Sequence, residues 1–350
     1  MSHQIALVPG DGIGKEVIPA AVRALEYLAV RDGLSLSFQP FDLGADRYLR
    51  DGTTMPPEVM AQWRNEFDAI FLGALGDPRV KSNVHARDIL LGARFELDLF
   101  INLRPVRLLD ARYTPLKNKG PDDIDIVVFR ENTEGLYTGI GGQFKRGTPD
   151  EIAIEAEMNS RKGVERIIRA AFAYADEQRR QSVCMSDKSN AMRHGHDLWQ
   201  RVFKEVAAEY AHIEAFHLYV DVLCMELVRK PERFDVIVTN NLFGDIVTDL
   251  GAQIQGGIGL AGSGNIHPGQ TGLFEPVHGS APDIAGQGIA NPLAAILSAG
   301  MMLTYLGYPA LEQEIQRAVQ AVLGAGQVTR ELGGDLGTEA VTDAVIAQLS

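Results

Sequence analysis

The chain has 350 residues and carries 46 Asp plus Glu against 33 Lys plus Arg, a formal charge of −13, which argues against a nucleic-acid backbone or an anionic membrane as its main partner. With 45% hydrophobic and 23% charged residues it has the composition of a globular protein with room for a large core, and no run of about 18 apolar residues is present to span a bilayer. The opening Met-Ser-His-Gln starts no basic-then-apolar leader, and Cys184 and Cys224 are too few for a disulfide framework, so the expected location is cytoplasmic.

Residues 4–9 read as a buried strand, and after Gly10-Asp-Gly12-Ile-Gly14 a helix is predicted with Ile18, Ala21, Val22, Leu25 and Leu28 on one face. Leu34, Leu36 and Phe38 alternate as a strand, residues 56–66 suit a helix, and residues 68–73 form another buried strand. Strands at 125–129, 181–186 and 234–239, with a helix over 163–176, extend the alternation toward the C-terminus. The fold class is therefore α/β, with a mainly parallel sheet covered by helices. Residues 136–160 break the rhythm: Gly139, Gly141, Gly142, Gly147 and Pro149 surround the alternating run Glu151-Ile-Ala-Ile-Glu155. Strands outside the main sheet fit it, either as an arm for dimer contact or as a surface hairpin.

Several segments carry residues able to do chemistry. The Gly10 turn lacks the spacing of both the dinucleotide fingerprint and the P-loop, so a tight turn and a ligand site both remain open. Asp245 and Asp249 stand four residues apart at the predicted start of a helix, after the strand Val236-Ile-Val, and so share a helical face. Two carboxylates there supply hard oxygen ligands for Mg²⁺ or Mn²⁺; the plainer reading is a solvated face with Asp245 favouring the helix N-terminus. Asp221, after another strand, is a candidate third ligand. Arg94, Arg104 and Arg130 are either structurally paired or suited by their fork geometry to a dicarboxylate. Lys188 ends a strand and is either solvated or, with a lowered pKa, a base. The stretch 273–292, Leu-Phe-Glu-Pro-Val-His278-Gly-Ser-Ala-Pro-Asp283-Ile through Asn291-Pro, has no helix or strand period and is expected to be a functional loop. Asp283 there suits a ribose diol and would repel a 2′-phosphate.

Together, Val8-Pro-Gly-Asp-Gly-Ile-Gly14, Arg130-Glu-Asn-Thr-Glu-Gly-Leu-Tyr137, Asn241-Leu-Phe-Gly-Asp245-Ile-Val-Thr-Asp249 and Glu275-Pro-Val-His-Gly-Ser-Ala-Pro-Asp283 resemble, in order and over essentially the whole chain, the β-decarboxylating dehydrogenases. These include the 3-isopropylmalate, isocitrate, homoisocitrate and tartrate/D-malate enzymes. The resemblance implies an isopropylmalate-dehydrogenase-like fold of two α/β domains rather than a Rossmann nucleotide-binding domain. Residues 1–102 plus 256–350 would form the large NAD-binding domain, and residues 103–255 the dimerisation, substrate and metal domain with its arm at 136–160.

The same resemblance assigns roles. Arg94, Arg104 and Arg130 would hold the malate carboxylates, Asp221, Asp245 and Asp249 the metal, and Tyr137 and Lys188 the proton transfers. Lys188 and Asp221 would reach the partner's site in a homodimer with shared active sites, Asp221 also facing substrate. Ile13, Asn190, His278, Gly279, Ser280, Ala281, Asp283, Ile284 and Asn291 would bind NAD. The implied reaction is oxidative decarboxylation: Lys188 takes the hydroxyl proton, hydride passes from C2 to the nicotinamide, and Tyr137 protonates the enolate after carbon dioxide leaves.

Leu90 and Leu91, in the stretch that meets the malate substituent, suit an isopropyl group and lack partners for a third carboxylate. Arg87, where isopropylmalate enzymes usually have an acid, and the Asn-Thr-Glu-Gly form of the tyrosine motif depart from that branch, whereas Asp98-Leu-Phe agrees with it. The leading expectation is 3-isopropylmalate going to 4-methyl-2-oxopentanoate in leucine biosynthesis, with tartrate/D-malate, homoisocitrate or another substituted malate as alternatives. Asp283-Ile284 resembles NAD-using members, whose NADP-using relatives often carry Lys-Tyr.

Overall fold

The computed structural model describes residues 2–350. Packing divides the chain into two compact units, one formed by Met1–Leu99, Arg107–Pro121 and Ala252–Ser350, the other by Phe100–Val106 and Asp122–Gly251. The first unit thus uses both ends of the chain.

In chain order it begins with strand β1 (Ser2–Val8), helix α1 (Gly14–Asp32), β2 (Ser35–Pro40), α2 (Ala45–Asp51), α3 (Pro57–Glu66), β3 (Ala69–Leu72) and α4 (Val84–Glu96). The second unit supplies β4 (Ile101–Arg107), β5 (Asp125–Glu131), the hairpin β6 (Gly141–Phe144) and β7 (Ile152–Glu155), α5 (Arg161–Glu177), β8 (Ser182–Asp187), α6 (Gly195–Ala207), β9 (Glu214–Tyr219), α7 (Val220–Arg229), β10 (Val236–Thr239) and α8 (Asn241–Ile254). The chain returns with β11 (Gly262–Ile266), β12 (Gly272–Pro276), α9 (Leu293–Tyr305), α10 (Pro309–Gly324) and α11 (Thr338–Gln348).

Within the first unit the strand order is β2-β1-β3-β12-β11. β1 runs parallel to β2 and β3, β3 parallel to β12, and β11 is antiparallel to β12. β3 is buried at every position, as an all-apolar strand covered on both faces must be. Its Ile70 and Leu72 pack with Ala6 and Val8 of β1, Trp63, Phe67, Ile89, Ala93 and Leu273 in one core. Within the second unit the order is β4-β5-β10-β8-β9, and β5, β10, β8 and β9 are mutually parallel along that order. α5 shows how the sequence sets an element. Ser160 caps it by accepting from Gly163 N at 2.9 Å, worth about 1 kcal/mol, and Val164, Ile167, Ile168, Ala171, Phe172 and Ala175 are buried along one stripe.

The structure corrects one expectation. The stretch 273–292 is not loop throughout, because Leu273–Pro276 lies in β12, where Leu273 pairs with Ile70 and Phe274 with Phe71. Four strand residues are too short a run for periodicity to reveal, and the neighbouring strand, distant in sequence, completes their hydrogen bonds. From residue 277 to 291 the backbone is irregular. The 136–160 segment forms the hairpin β6–β7, antiparallel and separate from the main strands.

Candidate active site

Parallel strands place their C-terminal ends, and the turns that follow them, on one side of a sheet, where side chains can converge without disturbing the core. In the second unit β5 delivers Arg130, β8 leads to Lys188, β9 to Asp221 and β10 to the helix carrying Asp245 and Asp249.

Arg130 is 1% exposed. Its Nε and Nη2 donate to Asn241 Oδ1 at 2.9 and 2.7 Å, and its Nη1 donates to Asp245. Arg104, also buried, donates from Nη1 to Thr248 Oγ1 at 2.7 Å and stands 3.7 Å from Asp245 and 3.8 Å from Asp249. The Tyr137 hydroxyl donates to Asp245 Oδ2 at 2.9 Å, and the Arg130 guanidinium lies 5.2 Å from the centre of the Tyr137 ring. Arg104, Arg130, Tyr137, Asp245 and Asp249 are therefore one cluster. Gly244 lets it form, because a Cβ there would fall 2.5 Å from Arg130 Cγ. Asp245 stands beyond the first turn of α8, which holds no acidic residue, so helix N-terminal charge does not account for it.

The two aspartates are held differently. Burial pushes the Asp245 carboxyl up, but Arg130, Arg104 and the Tyr137 hydroxyl outweigh it and hold the group below its ordinary value. Asp249 goes the other way: burial and the neighbouring Asp245 charge raise its carboxyl, offset only in part by the two arginines. A carboxylate resisting ionisation beside another carboxylate, with its side chain still open to solvent, is a place where a divalent cation would be favoured.

Lys188 Nζ pairs with Asp221, lying 5.8 Å from the Tyr219 ring centre. This pair does not join the arginine cluster: among the described residues no three His, Cys, Asp or Glu side chains gather to hold a metal. Asn190 is exposed on the turn after β8.

In the first unit, Arg94 is 4% exposed on α4 and donates to Glu275 Oε1 at 3.3 Å; Asn265 Nδ2 reaches the same oxygen at 2.9 Å. Leu90 and Leu91 are half-buried, Leu90 packing on the core, and Arg87 is exposed beside Asp88.

Of the predicted cofactor residues, Ile13 and Ser280 meet at the Gly10 turn. Ile13 N donates to Ser280 O at 2.9 Å. Gly12 has φ +51°, and a Cβ on it would fall 2.0 Å from Ser280 O, so the turn is glycine-rich because one backbone lies directly on another. Glu16, in the first turn of α1, accepts from Gly286 N at 2.6 Å and Gly288 N at 2.9 Å, pinning the loop's far side. Ala281 adopts φ +38° between them, a strained conformation for a non-glycine residue. Asp283 is exposed, and Ile284 is half-buried with its N–H on Ala281 O at 3.1 Å. Beside this loop runs a cleft of about 460 Å³ lined in part by Gly12, Lys15, Glu16, Pro282 and Gly286.

His278 is buried, which keeps its imidazole below the ordinary value and neutral. Its Nδ1 donates to Gly279 O at 3.0 Å, leaving buried Nε2 as an acceptor with no partner; Asn291 Nδ2 is a buried donor likewise unpartnered. Two orphaned polar atoms of opposite kind on one loop fit a polar ligand such as a nucleotide.

Some residues of these sites carry no role in the sequence reading. Asn241, Thr248 and Glu275 anchor the three arginines. Buried Asp11 accepts from Ala45 N, Gly76 N and His85 Nε2 at 2.7 to 2.9 Å, tying three segments together. Asn241, Thr248, Glu275 and Asp11 all stand inside the motifs that carry the resemblance, where a polar residue is itself a signal.

A family model described as isocitrate/isopropylmalate dehydrogenase matches residues 4–345. The chain is 48% identical over 341 residues to a 3-isopropylmalate dehydrogenase of Thermobifida fusca, covering 95% of this chain and 96% of that one. It is 47% identical over 349 residues to a 3-isopropylmalate dehydrogenase of Corynebacterium jeikeium, covering 99% of each. Among solved structures, an isocitrate dehydrogenase from Methylococcus capsulatus superposes with a TM-score of 0.90 at 37% identity over 99% of both chains.

Proposed function

The chain belongs to the isocitrate/isopropylmalate dehydrogenase family, and on that premise we propose that it oxidatively decarboxylates 3-isopropylmalate to 4-methyl-2-oxopentanoate, a step of leucine biosynthesis, using NAD and Mg²⁺ or Mn²⁺. The observation that carries the reading is the cluster of buried Arg104 and Arg130 with Tyr137, Asp245 and Asp249. It combines guanidinium forks for carboxylates, a phenol for proton delivery and hard oxygens for a cation. No helix among the described residues is long and apolar enough to cross a membrane.

Arg104 and Arg130 orient substrate carboxylates, and Arg94, held by Glu275, is proposed for the same task. Asp245 and Asp249 would hold the cation, with Asp221 completing the set from the partner in a homodimer whose sites are shared. When bound, the cation supplies Lewis acidity at the substrate's C2 oxygen and the nicotinamide supplies the hydride acceptor. Lys188 removes the C2 hydroxyl proton, and Tyr137 returns a proton to carbon after decarboxylation. His278 and Asn291 offer their unpartnered Nε2 and Nδ2 to the cofactor, and Asp283 favours a free ribose diol. Leu90 and Leu91 provide the apolar face for the isopropyl group.

The test is NAD and NADP reduction with 3-isopropylmalate, D-malate, tartrate, homoisocitrate and isocitrate at matched metal. 3-Isopropylmalate with NAD should give the highest kcat/KM by at least about tenfold, or 1.4 kcal/mol of differential transition-state binding. A better result with another substrate moves the assignment within the family; a better result with NADP removes the role given to Asp283.

A further inference from the structure

A buried polar cluster of Glu157, His196 and Asn240 in the second unit has no part in the chemistry above. His196 is 0% exposed and the Glu157 side chain 9%. The backbone N–H of Lys188 donates to His196 Nδ1 at 2.7 Å. A ring nitrogen that accepts from an amide carries no proton, so the neutral ring holds its proton on Nε2. That Nε2–H faces the Glu157 carboxylate at 3.2 and 3.3 Å, and Asn240 Nδ2 donates to the same carboxylate at 2.6 Å. Asn240 also accepts, at Oδ1, from Phe243 N at 2.9 Å, in the first turn of the helix bearing Asp245 and Asp249.

The frame around the cluster is tight. Trp199 Nε1 donates to Asn159 Oδ1 at 2.8 Å, and a Cβ on Gly195 would stand 2.6 Å from Asn159 Nδ2. The chain leaving the β6–β7 hairpin is thus seated on the start of α6, which delivers Glu157 to the cluster.

We infer that Glu157, His196 and Asn240 are positioning residues for the reaction. Glu157 fixes the tautomer of His196, the ring fixes the backbone of Lys188, and the same carboxylate anchors the cap of the aspartate-bearing helix. A lysine on a long flexible stem meets a substrate proton reproducibly only if its main chain is held. The inference rests on Lys188 as the proton-transfer residue.

Full-length His196→Ala, His196→Asn, Glu157→Gln and Lys188→Met are compared with the wild type for kcat and KM with 3-isopropylmalate, NAD and Mg²⁺, and for thermal midpoint. The Asn side chain keeps a carbonyl near the place of Nδ1 and can still accept from Lys188 N–H. His196→Ala should lower kcat about tenfold with substrate KM within about threefold, and His196→Asn should recover most of that loss. Glu157→Gln should also lower kcat, because either placement of the amide sets its NH2 against a donor, His196 Nε2–H or Asn240 Nδ2–H, and either the His196 tautomer or the Asn240 cap must give way.

Equal kcat in His196→Ala and His196→Asn, or a lower midpoint with unchanged kcat, would overturn the inference. If His196→Ala does not fold, an unchanged kcat in Glu157→Gln overturns it instead. Activity retained by Lys188→Met would remove the base assignment itself, whereas inactive Lys188→Met beside a fully active His196→Ala removes only the positioning role.

Discussion

Asp245 joins the parts of the candidate site, bonded to Arg130 and Tyr137 and close to Arg104. Asp245→Asn should abolish metal-dependent turnover while the circular dichroism spectrum stays that of the wild type, because the amide keeps the volume but not the charge that faces a cation. Turnover unchanged by the substitution would remove Asp245 from the metal set. On the wall of the cleft beside the 277–291 loop, Asp77 has its carboxyl lowered from 3.8 to about 2 by hydrogen bonding to Arg79. A depressed folded value means that this stabilisation is complete above about pH 3.8 and is lost as pH falls toward 2. The difference in thermal midpoint between wild type and Asp77→Asn should therefore narrow between pH 5 and pH 2; a constant difference contradicts the pairing. Glycine placement follows the same physics. Gly12 and Gly244 stand where a Cβ would enter Ser280 or Arg130, while Gly256 and Gly257, with φ +122°, turn the chain out of α8, and Gly259 leaves space for Glu331 and Asn291.

The elements that periodicity predicts are those whose own residues settle them. α1 and α5 bury an apolar stripe over several turns, β3 is apolar throughout, and β10 is apolar up to its last residue, Thr239. β12 escapes because its partner lies some 200 residues away in sequence, Leu273 against Ile70. The loop after it is held through Glu16 of α1, which accepts from Gly286 and Gly288. Glu16→Ala should release that loop and raise the KM for NAD about five- to tenfold while kcat changes little; an unchanged KM would show that the loop's backbone holds its shape without this carboxylate. Of the candidate site, the arginines, Tyr137 and the aspartates are legible because they are charged or polar residues beside apolar strands. Their anchors Thr248 and Glu275 are marked only as polar residues inside motifs, and which arginine each holds shows only when its partner is known.

The hairpin β6–β7 exposes Phe144 and Ile154, 62% and 61% accessible, on an otherwise acidic chain. Apolar residues so displayed favour contact with a second copy. In the proposed homodimer, Phe144→Asp combined with Ile154→Asp should shift the sedimenting species from twice the chain mass to the chain mass. Activity should fall with it, since Lys188 and Asp221 are proposed to serve the partner's site. A fully active monomer would refute shared sites and leave the family intact.

Composition, periodicity and motif order suffice for the α/β class, the family and the residue types of the chemistry, because these depend on local pattern and on side-chain chemistry that travels with the sequence. Which of those residues meet is settled only by folding. Arg130 reaches Asp245 across 115 positions and Arg94 reaches Glu275 across 181, distances in sequence over which no local propensity acts. The acidity of Asp245 and Asp249 diverges for the same reason. Identical carboxylates one helical turn apart differ because tertiary packing sets two guanidinium groups and a phenol close against one, whereas at the other the same arginines do not outweigh burial and its neighbour's charge.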